Sequence, residues 1–173
     1  MFPTDSGARR FRDAENRKEQ VGVRLTMTDP ISVRPGEPTD FDPIVAQYGA
    51  TGVTPWDPFT DPERLAGIPL DGLLVAEKDG AYAGFLYWFE GRHPWFDRGA
   101  DRYAALHELR VLPEYEGWGV SRHLVNRFVE EVRERGIPLV YAATAETNTA
   151  AQQLYESGGF RPFLRTTHYR WYR

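Results

Sequence analysis

The sequence predicts an α/β (α+β) domain, a single mixed sheet with helices on both faces. Three observations carry that prediction. Strand-like and helix-like segments alternate along the chain in the order β-α-β-β-β-α-β-α-β. Two apolar runs flank Asp79-Gly80, the dipeptide best suited to a two-residue hairpin turn. Val120, Leu124, Phe128 and Val132 recur every four residues, the spacing of one buried helix face.

Residues 1–26 are polar, net basic and free of apolar periodicity, so a flexible N-terminal arm is expected there and the folded domain is expected over 27–173. A short strand at 31–34 is stopped by Pro35. Thr39 or Asp40 then caps a helix carrying Phe41, Ile44, Val45 and Tyr48 at helical spacing. Residues 51–70 are rich in Pro, Gly and Asp and read as a long loop with at most a short helix. The hairpin strands are expected over 73–78 and 81–89, and a further strand over 103–112 after a second loop. The long helix ends at Gly136, and Pro138 confirms the stop. A strand at 139–145, a helix at 148–157 closed by Gly158-Gly159, and a final strand at 160–171 complete the pattern.

Composition excludes several kinds of chemistry. The chain has 173 residues, a formal net charge of −4 and no cysteine. One core of this size buries roughly 70% of the unfolded surface, so the fold needs no covalent staples. Without cysteine there are no disulfides, thiolate zinc sites, iron–sulfur clusters or cysteine nucleophile. No apolar run approaches the roughly 18 residues of a membrane span, and no secretory signal opens the chain. A cytoplasmic protein with no membrane partner is the expectation. The acidic body also argues against nucleic acid as a partner. His107-Glu108 begins a string found in zinc proteases, but Val111 stands where its second histidine belongs, so no metal is expected.

The stretch "LHELRVLPEYEGWGVSRHL", residues 106–124, carries the chemistry. A buried strand enters a Gly-x-Gly turn that opens a helix. Backbone N–H groups and the positive end of the helix dipole then converge on one spot, which suits a phosphate or pyrophosphate. Here the sequence resembles the GNAT superfamily of acyl-CoA-dependent N-acetyltransferases. Val111 and Pro113 match the end of that family's strand. Glu116, Gly117, Trp118, Gly119, Val120 and Ser121 stand where it has Gln/Arg-x-x-Gly-x-Gly/Ala. Asn148, Ala151, Leu154, Tyr155 and Gly159-Phe160 follow its second block. The resemblance covers roughly residues 30–165. It departs at Glu116, where the family has Gln or Arg, and at Ser121, where it has Gly or Ala.

The resemblance implies a mostly antiparallel central sheet whose fourth and fifth strands splay around the cofactor. It implies acetyl-CoA as co-substrate and a primary amine of a small molecule or peptide as acceptor, joined by direct attack in a ternary complex. The pantetheine arm is expected to pair with the backbones of Leu109 and Val111. The pyrophosphate is expected on the turn from Glu116 to Ser121, with Arg122 offsetting Glu116 and Asn148 reaching the cofactor from the last helix. Tyr155 matches the family's general acid. The general base is His107 or Glu108: alternation along the strand sends them to opposite faces, so one of them reaches the acceptor. An imidazole ordinarily titrates near neutrality, which favours histidine. Trp56, Asp57 and Phe59 in the first long loop, with aromatic faces beside a carboxylate, are the candidate acceptor-binding residues. They point to a small amine or peptide amino terminus with an apolar neighbour. Tyr169, Trp171 and Tyr172 on the final strand suggest a homodimer edge. Glu116, together with Ala105 at a second position where the family places its base, keeps open a catalytically silent acyl-CoA-binding sensor or regulatory module.

Overall fold

A computed structural model describes residues 31–50, 58–94, 97 and 99–164. The expected arm at 1–26 lies outside them, as do Trp56 and Asp57 and the final strand beyond residue 164. Strand β1 spans Ser32–Pro35 and runs through a 3-10 turn, Pro38–Asp40, into helix α1, Phe41–Ala50. A one-turn helix α2, Pro62–Leu65, precedes strands β2, Leu73–Lys78, β3, Ala81–Arg92, and β4, Arg102–Val111. Helix α3, Val120–Glu134, strand β5, Val140–Ala142, and helix α4, Thr149–Ser157, follow. The five strands lie in sequence order, β1 to β4 antiparallel and β5 parallel to β4.

Local chemistry explains most boundaries. Asp79 and Gly80 both take positive φ, 56° and 76°, and pair Lys78 with Ala81 across the turn that the sequence predicts. Pro35 is tolerated because β1 is an edge strand among the described residues. Asp61 caps α2 by accepting the Glu63 N–H, and Asn148 caps α4 by accepting the Ala151 N–H. Each face of the sheet has its own core. On one side Leu74, Leu86, Trp88, Ala104 and Leu106 meet Leu124, Phe128 and Val132 of α3. On the other, Leu73, Val75, Phe85 and Tyr87 meet Ile44 and Tyr48 of α1 and Phe59 and Leu65 beyond it.

Several expected strands differ: β1 includes Pro35 rather than stopping before it, and β3 runs past residue 89 to Arg92. β5 is shorter than 139–145, because its ladder with β4 holds only from Ala104↔Val140 to Leu106↔Ala142. β4 bulges immediately after Leu106 and the two strands part there. The final strand does not begin at Phe160, since residues 160–164 make no strand pairing.

Candidate active site

The turn after β4 is built to present N–H groups. Leu112 and Pro113 accept from Tyr115 and Glu116 in the 3-10 turn Pro113–Tyr115, and Tyr115 accepts a long bond from Trp118, 3.4 Å. Gly117 and Gly119 then take φ of 79° and 89°, a left-handed backbone that a side chain strains. Helix α3 starts at Val120, whose side chain is buried in the core while its N–H belongs to the open first turn. Among the described residues, no backbone carbonyl accepts from Gly117, Gly119, Val120, Ser121 or Arg122. Their N–H groups lie at the positive end of the helix dipole, an arrangement that suits an anion. Glu116, Trp118 and Arg122 are exposed around it and Ser121 is half-buried. Trp118 is anchored from the hairpin, with the Lys78 ammonium 4.9 Å from its ring centroid.

Beside this turn, β4 runs on from Leu106 to Val111 without pairing with β5. Its other edge stays bonded to β3, with Leu109 opposite Leu86 and Val111 opposite Gly84. The side chains of Leu109 and Val111 pack on the α3 core, so only their backbones face the opening. Asn148 uses its carbonyl oxygen to cap α4, 3.1 Å from the Ala151 nitrogen. A cavity of about 220 Å³ lies between α3 and α4, lined by Arg122, Val125, Asn126, Leu154, Ser157 and Gly158. It adjoins the N–H-rich turn rather than the face that carries His107.

The expected separation of His107 and Glu108 does not occur. Opposite Tyr87 and Trp88 the register skips from Glu108 to Leu106, so His107 is the extra residue of a β-bulge. The bulge reverses the alternation. Ala104 and Leu106 before it and Leu109 and Val111 after it all face the α3 core. His107 and Glu108 therefore share the α1 face. The His107 ring is exposed and lies 6.1–6.2 Å from the rings of Phe59, Tyr87 and Phe89. Glu108 accepts from Arg110 Nε at 3.1 Å, and the Arg110 guanidinium lies 4.5 Å from the Tyr48 ring centroid. Tyr155 is half-buried with its ring 5.6 Å from Phe160. Burial pushes its hydroxyl above the ordinary tyrosine value, and the Glu108 carboxylate adds to the shift.

Phe59 is a correction. It has no exposed surface and stacks on Tyr48 at 5.4 Å, so it is a core residue that backs His107 rather than an acceptor contact. Trp56 and Asp57 lie outside the described residues. Sequence reasoning missed Phe89, Arg110, Lys78, Asn126 and Ser157. An aromatic or charged residue at an alternating position looks like any other, and only the bulge and the helix pairing bring these to the site.

Residues 43–160 fit the acetyltransferase (GNAT) family. The chain is 32% identical over 96 residues to L-amino acid N-acyltransferase MnaT of Escherichia coli (strain K12), covering 56% of this chain and 52% of that protein. It is 32% identical over 97 residues to the L-methionine sulfoximine/L-methionine sulfone acetyltransferase of Salmonella typhimurium, covering 56% and 53%. The match thus spans about half the length of each relative. In fold it resembles AAC(6')-Iy in complex with the bisubstrate analog CoA-S-monomethyl-acetylneamine, with a TM-score of 0.67 and 22% identity over 84% of this chain and 100% of that one. With more than half of its length fitting that one family, and with the sheet order and turn described above, the chain belongs to the acetyltransferase (GNAT) family.

Proposed function

We propose that this protein transfers an acetyl group from acetyl-CoA to a primary amine of a small molecule or peptide by direct attack in a ternary complex. One observation carries the reading: the N–H groups of Gly117 and of residues 119–122, which no described backbone carbonyl accepts, adjoin the place where β4 and β5 part, with His107 on one side and Tyr155 on the other. The pyrophosphate sits on those N–H groups with Arg122 beside it. The adenosine end takes the cavity bordered by Asn126 and Ser157. The pantetheine amides pair with the free edge of β4 at Leu109 and Val111, as an added strand does. Asn148 borders the same opening from the start of α4.

The amine nitrogen attacks the thioester carbonyl. A C–N bond forms, the C–S bond breaks, and one proton leaves the nitrogen as another joins the departing sulfur. His107 takes the first proton. It shares its face with Glu108, but the Glu108 carboxylate is occupied by Arg110, whereas the imidazole is exposed. Tyr155 gives the second. Its raised pKa keeps the hydroxyl protonated at neutral pH, as an acid requires. The fold neighbour in complex with a CoA-linked acetylneamine and the two amino-acid acyltransferase relatives support an amine acceptor.

Calorimetric titration with acetyl-CoA, followed by thiol release over a panel of amines, tests the reading. Saturable binding with amine-dependent thiol release is expected. Binding without release on any amine indicates an acyl-CoA-binding module instead, and absence of binding overturns both.

A further inference from the structure

We infer that Phe89 is the specificity-determining wall of the acceptor site, selecting primary amines with an apolar substituent next to the nitrogen over polycationic amines. The inference rests on the acetyltransferase reading and deepens it. Three aromatic rings surround His107, yet they differ in what they offer a ligand. Phe59 is 0% exposed and Tyr87 is 7% exposed, so both are committed to the core beneath the histidine. Phe89 is 40% exposed with its ring 6.1 Å from that of His107 and inclined by 60° to it. Phe85, Tyr87 and Phe89 alternate along β3 on the α1 face, and Phe89 lies where that face runs out of cover.

An exposed apolar ring beside the proton-accepting group offers a ligand apolar surface to cover. An acceptor whose amine approaches His107 brings its neighbouring carbon over Phe89. The same ring attracts a single ammonium through its face. Charge on this side favours one ammonium and not several. Glu108, the carboxylate next to His107, is already matched by Arg110 at 3.1 Å. Glu90, next to Phe89 in sequence, belongs by alternation to the opposite face and is held by Arg102 at 2.7 Å. A polycation needs a surplus of carboxylates around the site, and among these residues the charges cancel.

Thiol release with 2-phenylethylamine, methylamine and spermidine, for the wild type and for Phe89→Ala and Phe89→Leu, tests the inference. The wild type is expected to show a kcat/KM for 2-phenylethylamine at least tenfold above that for spermidine. Phe89→Ala should lower the ratio of kcat/KM for 2-phenylethylamine to that for methylamine by about tenfold, through the acceptor KM, as expected for an apolar and cation–π contact of this kind. Phe89→Leu, which keeps an apolar wall, should recover most of that ratio, and acetyl-CoA affinity by calorimetry should be the same in all three proteins. Preference for spermidine, an unchanged ratio in Phe89→Ala, or acetyl-CoA binding with no turnover of 2-phenylethylamine overturns the inference. Failure of the wild type to bind acetyl-CoA, or binding with no thiol release on any amine of the panel, overturns the acetyltransferase reading itself, whereas turnover of other amines without the preferences above overturns the inference alone.

Discussion

Tyr155 is the residue whose proposed role is simplest to isolate. Tyr155→Phe keeps the ring against Phe160 and removes only the hydroxyl. The expected result is a fall in kcat of about 10²–10⁴-fold with little change in acetyl-CoA affinity, measured where chemistry limits the rate. A loss below threefold removes Tyr155 from the mechanism. The sign of its pKa shift adds a check. Because burial and Glu108 hold the hydroxyl above its ordinary value of 10.0, the midpoint of any decline of kcat caused by its ionisation lies above that pH. The side chains of His107 and Glu108 teach a different lesson. Both identities were legible as candidate bases, but their placement was not. In the string "ALHEL" two adjacent polar residues break the period of two, but the string does not say that the strand bulges there or which of them is the extra residue. The bulge depends on how β3 pairs with β4, a fact about partners far apart in the chain.

At the scale of the element, the turn from Pro113 to Arg122 was legible almost entirely, because its chemistry is local. Proline, two glycines with positive φ and an amphipathic run fix where the strand stops and the helix starts. The hairpin at Asp79-Gly80 was readable for the same reason. The short β5 was not, since its length is decided by where β4 diverges from it. What makes this turn unusual is Glu116, an exposed carboxylate beside five N–H groups that favour an anion. If the pyrophosphate rests there, the two negative charges repel. Glu116→Gln is then expected to tighten acetyl-CoA binding by about 2- to 5-fold at low ionic strength, the size of a surface charge acting at a helix N-terminus. The gain should shrink as salt rises. Equal affinities at every ionic strength mean that the carboxylate points away from the phosphate. Lys78 at the hairpin tip touches the same turn, its ammonium 4.9 Å from the Trp118 ring centroid.

Across the whole molecule, the sheet is held by two unequal layers. The α3 side is apolar and continuous, whereas the α1 side carries a polar fastening at its edge. Arg34 of β1 donates two hydrogen bonds to Asp40, at 2.8 and 2.7 Å, and one to Glu77 of β2 at 2.7 Å. Asp40 also accepts the Glu37 N–H, and Tyr82 of β3 donates to Gln47 of α1 at 2.6 Å. The sequence predicts Thr39 or Asp40 as the helix cap, but Glu37 takes that place and Asp40, third in the 3-10 turn, is the centre of this network, whose partners come from separate elements. Its carboxyl is 7% exposed. Burial pushes its pKa up, but the Arg34 hydrogen bonds, the Glu37 N–H and the Arg34 charge outweigh that, and the net shift is downward from 3.8. A carboxyl with a lowered folded-state pKa stabilises the fold above the unfolded value and loses that contribution as pH falls through the folded one. Asp40→Asn leaves Arg34 short of its main partner and is expected to cost about 1–3 kcal/mol at pH 7. In a domain of this size that is a drop in Tm of about 3–10 °C by calorimetry. The gap between wild type and variant should stay constant from neutrality down to about pH 4 and close only below it, as the native carboxyl takes up its proton. A gap that closes already between pH 7 and pH 5 assigns the linkage to another group, and no gap at pH 7 means that Asp40 contributes nothing net to holding α1.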